Sequence, residues 1–390
     1  MENARIQDRL HASRRVYNWT RRGDRRRRSL VAKYTQRASL RRAPGDPAQA
    51  SHFARLVALL LLVASLSGPW PPSALAADPS AYGVAVTPRN FPDFTVEDVD
   101  EAFLVAKQIG DYAVFIYQWG RLDLQVPRLM VEKSRRAGLL PIIGLSPTTL
   151  GESRKELDLP ADVRRRAASH ISFANPVVRE AFKRTAAELA RLQVPYLCLA
   201  TEINFLAMQR LDEYIHFARL YQETYALVKR IAPQTRIFVS FQWEWMRILD
   251  SRAPQRIADH RKLVDAFRPR LDVVGLTSYP AFFHDKPADL APDYFTWLAH
   301  HVLPTDEILL MEVGWPTEGI GSEQEQRQFV RALPELLSGV NVSVVAWALL
   351  HDVGLEEFDA NLSSVGLVTA SGRPKPAFAD FEKLHASSRP

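Results

Sequence analysis

Eight short apolar runs recur between Ala81 and the C-terminus, and that recurrence limits the fold more than any other feature of the chain. They are Tyr82–Val86, Ala113–Tyr117, Leu139–Gly144, Tyr196–Ala200, Arg236–Ser240, Val273–Thr277, Ile308–Met311 and Val342–Ala346. Runs of this length without polar alternation read as parallel strands buried on both faces. The stretches between them carry helix signals. Thr95 with Asp98 and Ser322 with Glu325 have capping-box spacing, and Asn175-Pro176 places a cap before a first-turn proline. Gly110 is placed to close the first of these helices. Eight strand–helix units in one unbroken series predict a (β/α)8 TIM barrel, a single catalytic domain over residues 78–390. A doubly wound open sheet would place a glycine-rich turn after its first strand, and Val86-Thr87-Pro88-Arg89-Asn90 contains no glycine.

Two of the runs stop at a glutamate. Tyr196–Asn204 (YLCLATEIN) ends its apolar part before Glu202, and Ile308–Thr317 (ILLMEVGWPT) before Glu312. In a parallel barrel all strand C-termini open on one mouth, where the chemistry sits. Glu202 closes the fourth strand and Glu312 the seventh, so the two carboxylates are expected to meet across one pocket. A facing carboxylate pair is the requirement of glycosidic bond cleavage.

The strings around these residues resemble the fourth- and seventh-strand signatures of clan A retaining glycoside hydrolases. That resemblance implies an acid/base role for Glu202 and a nucleophilic role for Glu312. Leu271–Pro280 (LDVVGLTSYP) is similar to the sixth-strand motif of the clan, which implies that Tyr279 hydrogen-bonds the nucleophile. Trp347, at the end of the eighth strand, matches a tryptophan that the clan places under the sugar. Glu312–Pro316 (EVGWP) resembles endo-β-1,3-glucanases, with Val313 where threonine is usual. Glu202-Ile203-Asn204 and the sixth-strand string are closer to the arabinogalactan endo-β-1,4-galactanases. Gly366–Phe378 (GLVTASGRPKPAF) is a tail shared by several of these families. The clan usually has asparagine before the acid/base glutamate to bind the sugar 2-hydroxyl; here Thr201 stands there, a shorter donor without the amide.

Other residues at predicted strand ends complete the expected site. Trp119, Trp243, Trp245 and Trp315 offer flat rings suited to stacking on sugars, with packing of long loops as the competing role. Gln242 is a candidate donor to a hydroxyl, and Glu244 is read as a rim residue. Arg121 with Asp123, and His351 with Asp352, either line the cleft or form surface ion pairs. The long segment Ser146–Ile171 carries Arg154, Lys155 and Arg164–Arg166. It either walls one end of the cleft, binds an acidic polymer or forms a solvated helix face.

The first 55 residues are different in kind. They hold 15 Arg and Lys against 4 Asp and Glu, a net of +11, while the whole chain carries +6, so the remainder carries −5. Residues 1–55 read as a basic, disordered extension, and the acidic remainder argues against a nucleic-acid surface. Residues 56–77 follow: the apolar run Leu56–Leu66, then Pro71-Pro72 and an Ala74-Leu75-Ala76 site. This is a secretory signal peptide or, uncleaved, an N-terminal membrane tether, and in either case it implies an exported protein. The single cysteine, Cys198, allows no internal disulfide and reads as a small buried apolar residue. No ligand motif predicts a metal, and no cofactor is expected. The sequence therefore predicts a monomeric, exported glycosidase acting on a polysaccharide or oligosaccharide. Thr201 and Val313 keep a non-catalytic carbohydrate-binding barrel as an alternative, and a tethered transglycosylase in exopolysaccharide processing is another.

Overall fold

The computed structural model describes Pro79 and residues 81–388, save 150–153, 169, 253–256, 302–305 and 355–359. The readings of residues 1–55 and 56–77 lie outside the described residues. Nine parallel strands form the sheet: β1 (Tyr82–Ala85), β2 (Tyr112–Gln118), β3 (Leu140–Ser146), β4 (Tyr196–Cys198), β5 (Arg236–Phe238), β6 (Ser240–Gln242), β7 (Val274–Ser278), β8 (Ile308–Val313) and β9 (Val342–Trp347). Their order is β5-β4-β3-β2-β1-β9-β8-β7-β6.

The two ends of that order are one run of chain. β5 and β6 flank Val239, and the run bonds to neighbours on both sides. Toward β4, the Leu199 amide donates to the Phe238 carbonyl at 2.8 Å and the Ser240 amide to the Ala200 carbonyl at 2.9 Å. Toward β7, the amides of Asp272 and Gly275 donate to the carbonyls of Ile237 and Val239 at 3.0 and 3.1 Å. Eight barrel positions result, with the fifth interrupted at Val239, and no sheet edge remains open. The TIM barrel expected from the sequence is the fold of the chain.

Two buried clusters show how the strands divide their side chains. Val114, Ile142, Cys198, Phe238, Leu309, Met311 and Ala346 fill the barrel interior. A larger cluster, with Val84, Leu197, Leu276, Leu310, Val313 and Trp347, packs the outer strand faces against the helices. Burial at both faces is the reason the strands read as continuous apolar runs. Cys198 is buried, with its thiol pushed up to about 12 by desolvation.

The helices begin where their caps predict. Thr95 caps the helix Val96–Ile109: its hydroxyl accepts from the Asp98 amide, and the Asp98 carboxylate accepts from the Thr95 amide at 2.7 Å. Gly110 ends that helix in an extended conformation. Asn175 caps Pro176–Ala190 through the Val177 amide, and Ser322 caps Glu323–Leu337 through the Glu325 amide. Among the described residues no helix is long and apolar enough to cross a membrane.

Candidate active site

Strict alternation along β8 would turn Glu312 away from the barrel. Leu309 and Met311 point inward and Leu310 outward, so the next residue should face the helices. The ladder carries one extra residue at this point. Opposite β7, Leu276 pairs with Leu310 but Thr277 pairs with Glu312, skipping Met311. Opposite β9, Leu310 pairs with Val345 and Val313 with Trp347, three steps against two. This bulge returns Val313 to the outer cluster and swings Glu312 into the mouth. There the Tyr279 hydroxyl donates to Glu312 Oε2 at 2.7 Å.

Glu202 reaches the same mouth by another local device. Its φ of 49° lies in the left-handed region that a residue with a Cβ seldom occupies. Such a conformation costs on the order of 1 kcal/mol or more and persists only when its surroundings enforce it. Ser240 enforces it here: its hydroxyl accepts from the Glu202 amide at 3.0 Å, and its carbonyl accepts from the Ile203 amide at 3.0 Å. Asn204 ties the next turn down, exchanging two hydrogen bonds with the backbone of Gln242.

The Glu202 carboxylate is buried, and each of its oxygens faces a donor. Thr277 donates to Oε1 at 2.6 Å, and the Arg154 guanidinium lies 2.6 Å from Oε2. A second Arg154 nitrogen reaches the Thr201 hydroxyl at 3.4 Å. Burial at the mouth is the largest influence on Glu312 and pushes it up to about 7; the charge of Glu202 adds to this, while Tyr279 and Arg154 oppose it. Burial also raises Tyr279 well above its ordinary value, with the charges of both glutamates adding to the effect. Glu202, Glu312, Tyr279 and Arg154 therefore form one electrostatic unit, as the positions of the two glutamates in the sequence predict.

Glu244 is the acid that a reading from strand ends misplaces. It is not on a rim but fully enclosed, accepting from Tyr294 at 2.9 Å and from the Ser278 hydroxyl and the Gln242 side-chain amide. Burial raises its pKa, against the pull of these donors. The Gln242 amide is spent on Glu244, and its carbonyl accepts from the Trp245 amide at 2.9 Å. Gln242 is thus a bracket beneath the mouth rather than a free donor to a sugar.

The tryptophans also separate. Trp119, Trp243, Trp315 and Trp347 are fully buried, so none offers the open face that stacking on a sugar needs. Trp119 packs edge-on against Phe182 and donates to Thr185; Trp347 lies between Phe329 and Phe381 and donates to the Val365 carbonyl at 2.7 Å. Trp243 packs against Tyr294 and Phe295, and Trp315 against Phe329. A strand-end position does not decide whether a ring turns toward the mouth or toward the helices. Trp245 is different. Only part-buried, it contacts Phe205 and Phe283, while the exposed Phe282 rests against Tyr279. Phe205, Trp245 and Phe283 thus form one ring cluster, with Phe282 against Tyr279 beside it.

His351 and Asp352 do not line the cleft. His351 is buried against Thr87, and Asp352 pairs with the buried Lys375 at 2.7 Å. Among the described residues no group of three or more His, Cys, Asp or Glu is placed to hold a metal ion.

No protein-family profile matches this chain, and no curated protein sequence does. Solved structures share its fold. The exo-β-1,4-mannosidase Op5Man5 from Opitutaceae bacterium strain TAV5 superposes with a TM-score of 0.60 at 16% identity, over 80% of this chain and 59% of that one. The GH5_18 protein from Streptomyces cattleya, solved in complex with Manβ1-4GlcNAc, gives 0.61 at 18% identity, over 79% and 81%. A family 39 glycoside hydrolase from Bacteroides cellulosilyticus WH2 gives 0.53 at 14% identity, over 81% and 65%. This chain spans less than two thirds of the length of the mannosidase and of the family 39 protein. At these identities the likeness establishes the barrel and leaves the chemistry to the residues.

Proposed function

We propose that the chain is a retaining glycoside hydrolase acting on β-linked sugars, with Glu312 as nucleophile and Glu202 as acid/base. One observation carries this reading: two glutamates from opposite sides of a barrel mouth, Glu202 buried and Glu312 half-buried, form one electrostatic unit, each gripped by a hydroxyl donor from the end of β7. In the first step Glu312, as carboxylate, attacks the anomeric carbon. The glycosidic bond breaks and its oxygen takes a proton from Glu202. In the second step Glu202 takes a proton from water, whose oxygen displaces Glu312 and regenerates both side chains. Tyr279 holds the attacking oxygen pair in place, and Thr277 orients the acid/base. The fold shared with glycosidases supports the reading at the level of architecture. The signal-like segment Leu56–Leu66 supports an exported site of action, on a polysaccharide or its fragments.

A mechanism-based test is direct. A 2-deoxy-2-fluoro β-glycoside with a good leaving group should glycosylate the protein at Glu312 with loss of that group, seen as a mass increase on the peptide carrying it. Hydrolysis of β-mannan, β-galactan and β-glucans should vanish in both Glu202→Gln and Glu312→Gln. Hydrolysis that survives both substitutions would place the chemistry elsewhere. The second reading, a barrel that binds carbohydrate without turning it over, is favoured by Arg154, which occupies the oxygen of Glu202 that an acid proton needs. Binding without cleavage by the unaltered protein would select it.

A further inference from the structure

Arg154 belongs to no part of the two-step mechanism, yet it contacts the acid/base as closely as Thr277 does, at 2.6 Å. Its side chain is 17% exposed and Glu202's is 9%, so the pair is largely withdrawn from water at the floor of the mouth. Both partners have left-handed backbones, Arg154 with φ 42° and Glu202 with φ 49°. Beyond Glu202, the hydrogen-bond partner it reaches is Thr201, the position preceding the acid/base.

The arrangement conflicts with the first step. A guanidinium has donors only, whereas the Thr277 hydroxyl, which donates to Glu202 Oε1, can also accept. A guanidinium pairs with the charged form of a carboxyl, whereas the leaving oxygen must receive its proton from the neutral form, so the Arg154 contact and the acid role compete for Glu202. Arg154 has to leave Oε2 before Glu202 can act as an acid. A neutral sugar offers only hydroxyls, which compete poorly with a carboxylate for a buried guanidinium. A substrate carboxylate competes on equal terms, because its two oxygens match the planar fork of arginine.

Other cations lie nearby in the chain. The stretch that carries Arg154 also exposes Lys155, and Arg121 lies exposed at the end of β2. Arg121 and Arg164 both act on Asp158, which in turn accepts from the Gly120 amide at 3.0 Å. Glu156 and Asp158 stand among these cations, so the anion site rests on Arg154 itself. The groups facing Arg154 are Glu202, with Thr201 beside it, and across the site Glu312 and Tyr279.

We propose that the substrate is an acidic glycan, with a uronic acid carboxylate beside the scissile bond, and that this carboxylate draws Arg154 away from Glu202 and so readies the acid/base. The inference rests on the hydrolase reading for its consequence and on Arg154 alone for its anion site. Binding then does two things at once: it selects a carboxylated sugar, and it leaves Glu202 Oε2 free to take a proton from solvent. A neutral glycan of the same linkage fits the cleft but leaves the acid blocked.

Matched oligosaccharides test this on the full chain. β-1,4-Mannuronan oligomers and their carboxyl-reduced products, β-1,4-mannan oligomers, form one pair; β-1,4-glucuronan and cello-oligomers form another. The unaltered protein should show at least a tenfold higher kcat/KM for the acidic member of one pair. Arg154→Gln should bring that ratio to within about twofold of unity, with Arg154→Lys between them. A preference for the neutral member in both pairs, or a ratio unmoved by Arg154→Gln, would overturn the anion site and leave the hydrolase reading standing. Where nothing is cleaved, calorimetric binding decides. Acidic oligomers bound by the unaltered protein and not by Arg154→Gln uphold the anion site while the hydrolase reading falls. Binding of none of them, or of sulfated cello-oligomers only, sinks the carboxylate assignment.

Discussion

Thr277 and Tyr279 stand two residues apart at one strand end and hold opposite members of the carboxylate pair. Thr277 donates to Glu202 at 2.6 Å and Tyr279 to Glu312 at 2.7 Å. Thr277 lies within β7 and Tyr279 just past its end, so one short segment of chain positions both carboxylates. Any displacement of this strand end moves Glu202 and Glu312 together.

Tyr279→Phe removes the donor that keeps Glu312 in its charged form. A hydrogen bond to a charged group contributes about 1.5–3 kcal/mol, so kcat should fall about tenfold to a hundredfold. The acidic limb of the kcat/KM profile should also move upward, because Tyr279 opposes the rise in Glu312. A profile that stays put while the rate falls would mean that the hydroxyl touches the sugar instead.

The pH dependence of stability follows from the same carboxyl. Glu312 is raised from 4.5 to about 7 in the folded protein, so between those values the folded state binds more protons than the unfolded one. Its contribution to stability is complete below about pH 4.5 and is lost as pH rises through about 7. Glu312→Gln removes that loss. The variant should be more stable than the unaltered protein at pH 8, by on the order of 3 kcal/mol at most, with the gap closing toward pH 4.5. Denaturant melts at both pH values check it, and an equal gap at both would refute the assignment.

Glu244→Gln probes the layer under the site. The glutamate accepts from Ser278, Tyr294 and Gln242, and Ser278 sits between the two residues that grip Glu202 and Glu312. An amide nitrogen would face at least one of these donors and release it. The expected result is a fall in kcat of about tenfold with KM changed less than twofold, and a stability cost of roughly 1–3 kcal/mol. A change confined to KM would instead give Glu244 direct contact with substrate.

Lys375 anchors the C-terminal segment to the barrel. Its ammonium is 1% exposed and donates to Asp352, to the Thr317 hydroxyl and to the Ser364 carbonyl at 2.7–2.9 Å. Burial is the main cause of Asp352 being pushed up to about 6, which Lys375 counters. Lys375→Met strands a buried carboxylate and should cost roughly 3–5 kcal/mol, with Asp352→Leu in the same chain restoring part of it. Equal melting of Lys375→Met and the unaltered protein would show that the pair is a bystander.

The sequence by itself determined the strands, their order and the two glutamates. Each strand is a local apolar run of a length only a doubly covered parallel sheet explains, and the caps at Thr95, Asn175 and Ser322 depend on residues within three positions. Tyr279, one residue beyond its strand, was legible only through the resemblance of Leu271–Pro280 to a clan motif. Only the tertiary structure decided which way side chains turn. Trp119, Trp243, Trp315 and Trp347 occupy strand ends yet pack outward under helices, because small shifts of pleat select the face. The bulge that aims Glu312 inward is visible only against β7 and β9. Arg154 meets Glu202 across 48 positions of chain, through an ion pair that no local pattern encodes. Periodicity records what a residue's neighbours in sequence require; a loop arginine's counter-ion is chosen by distance in space.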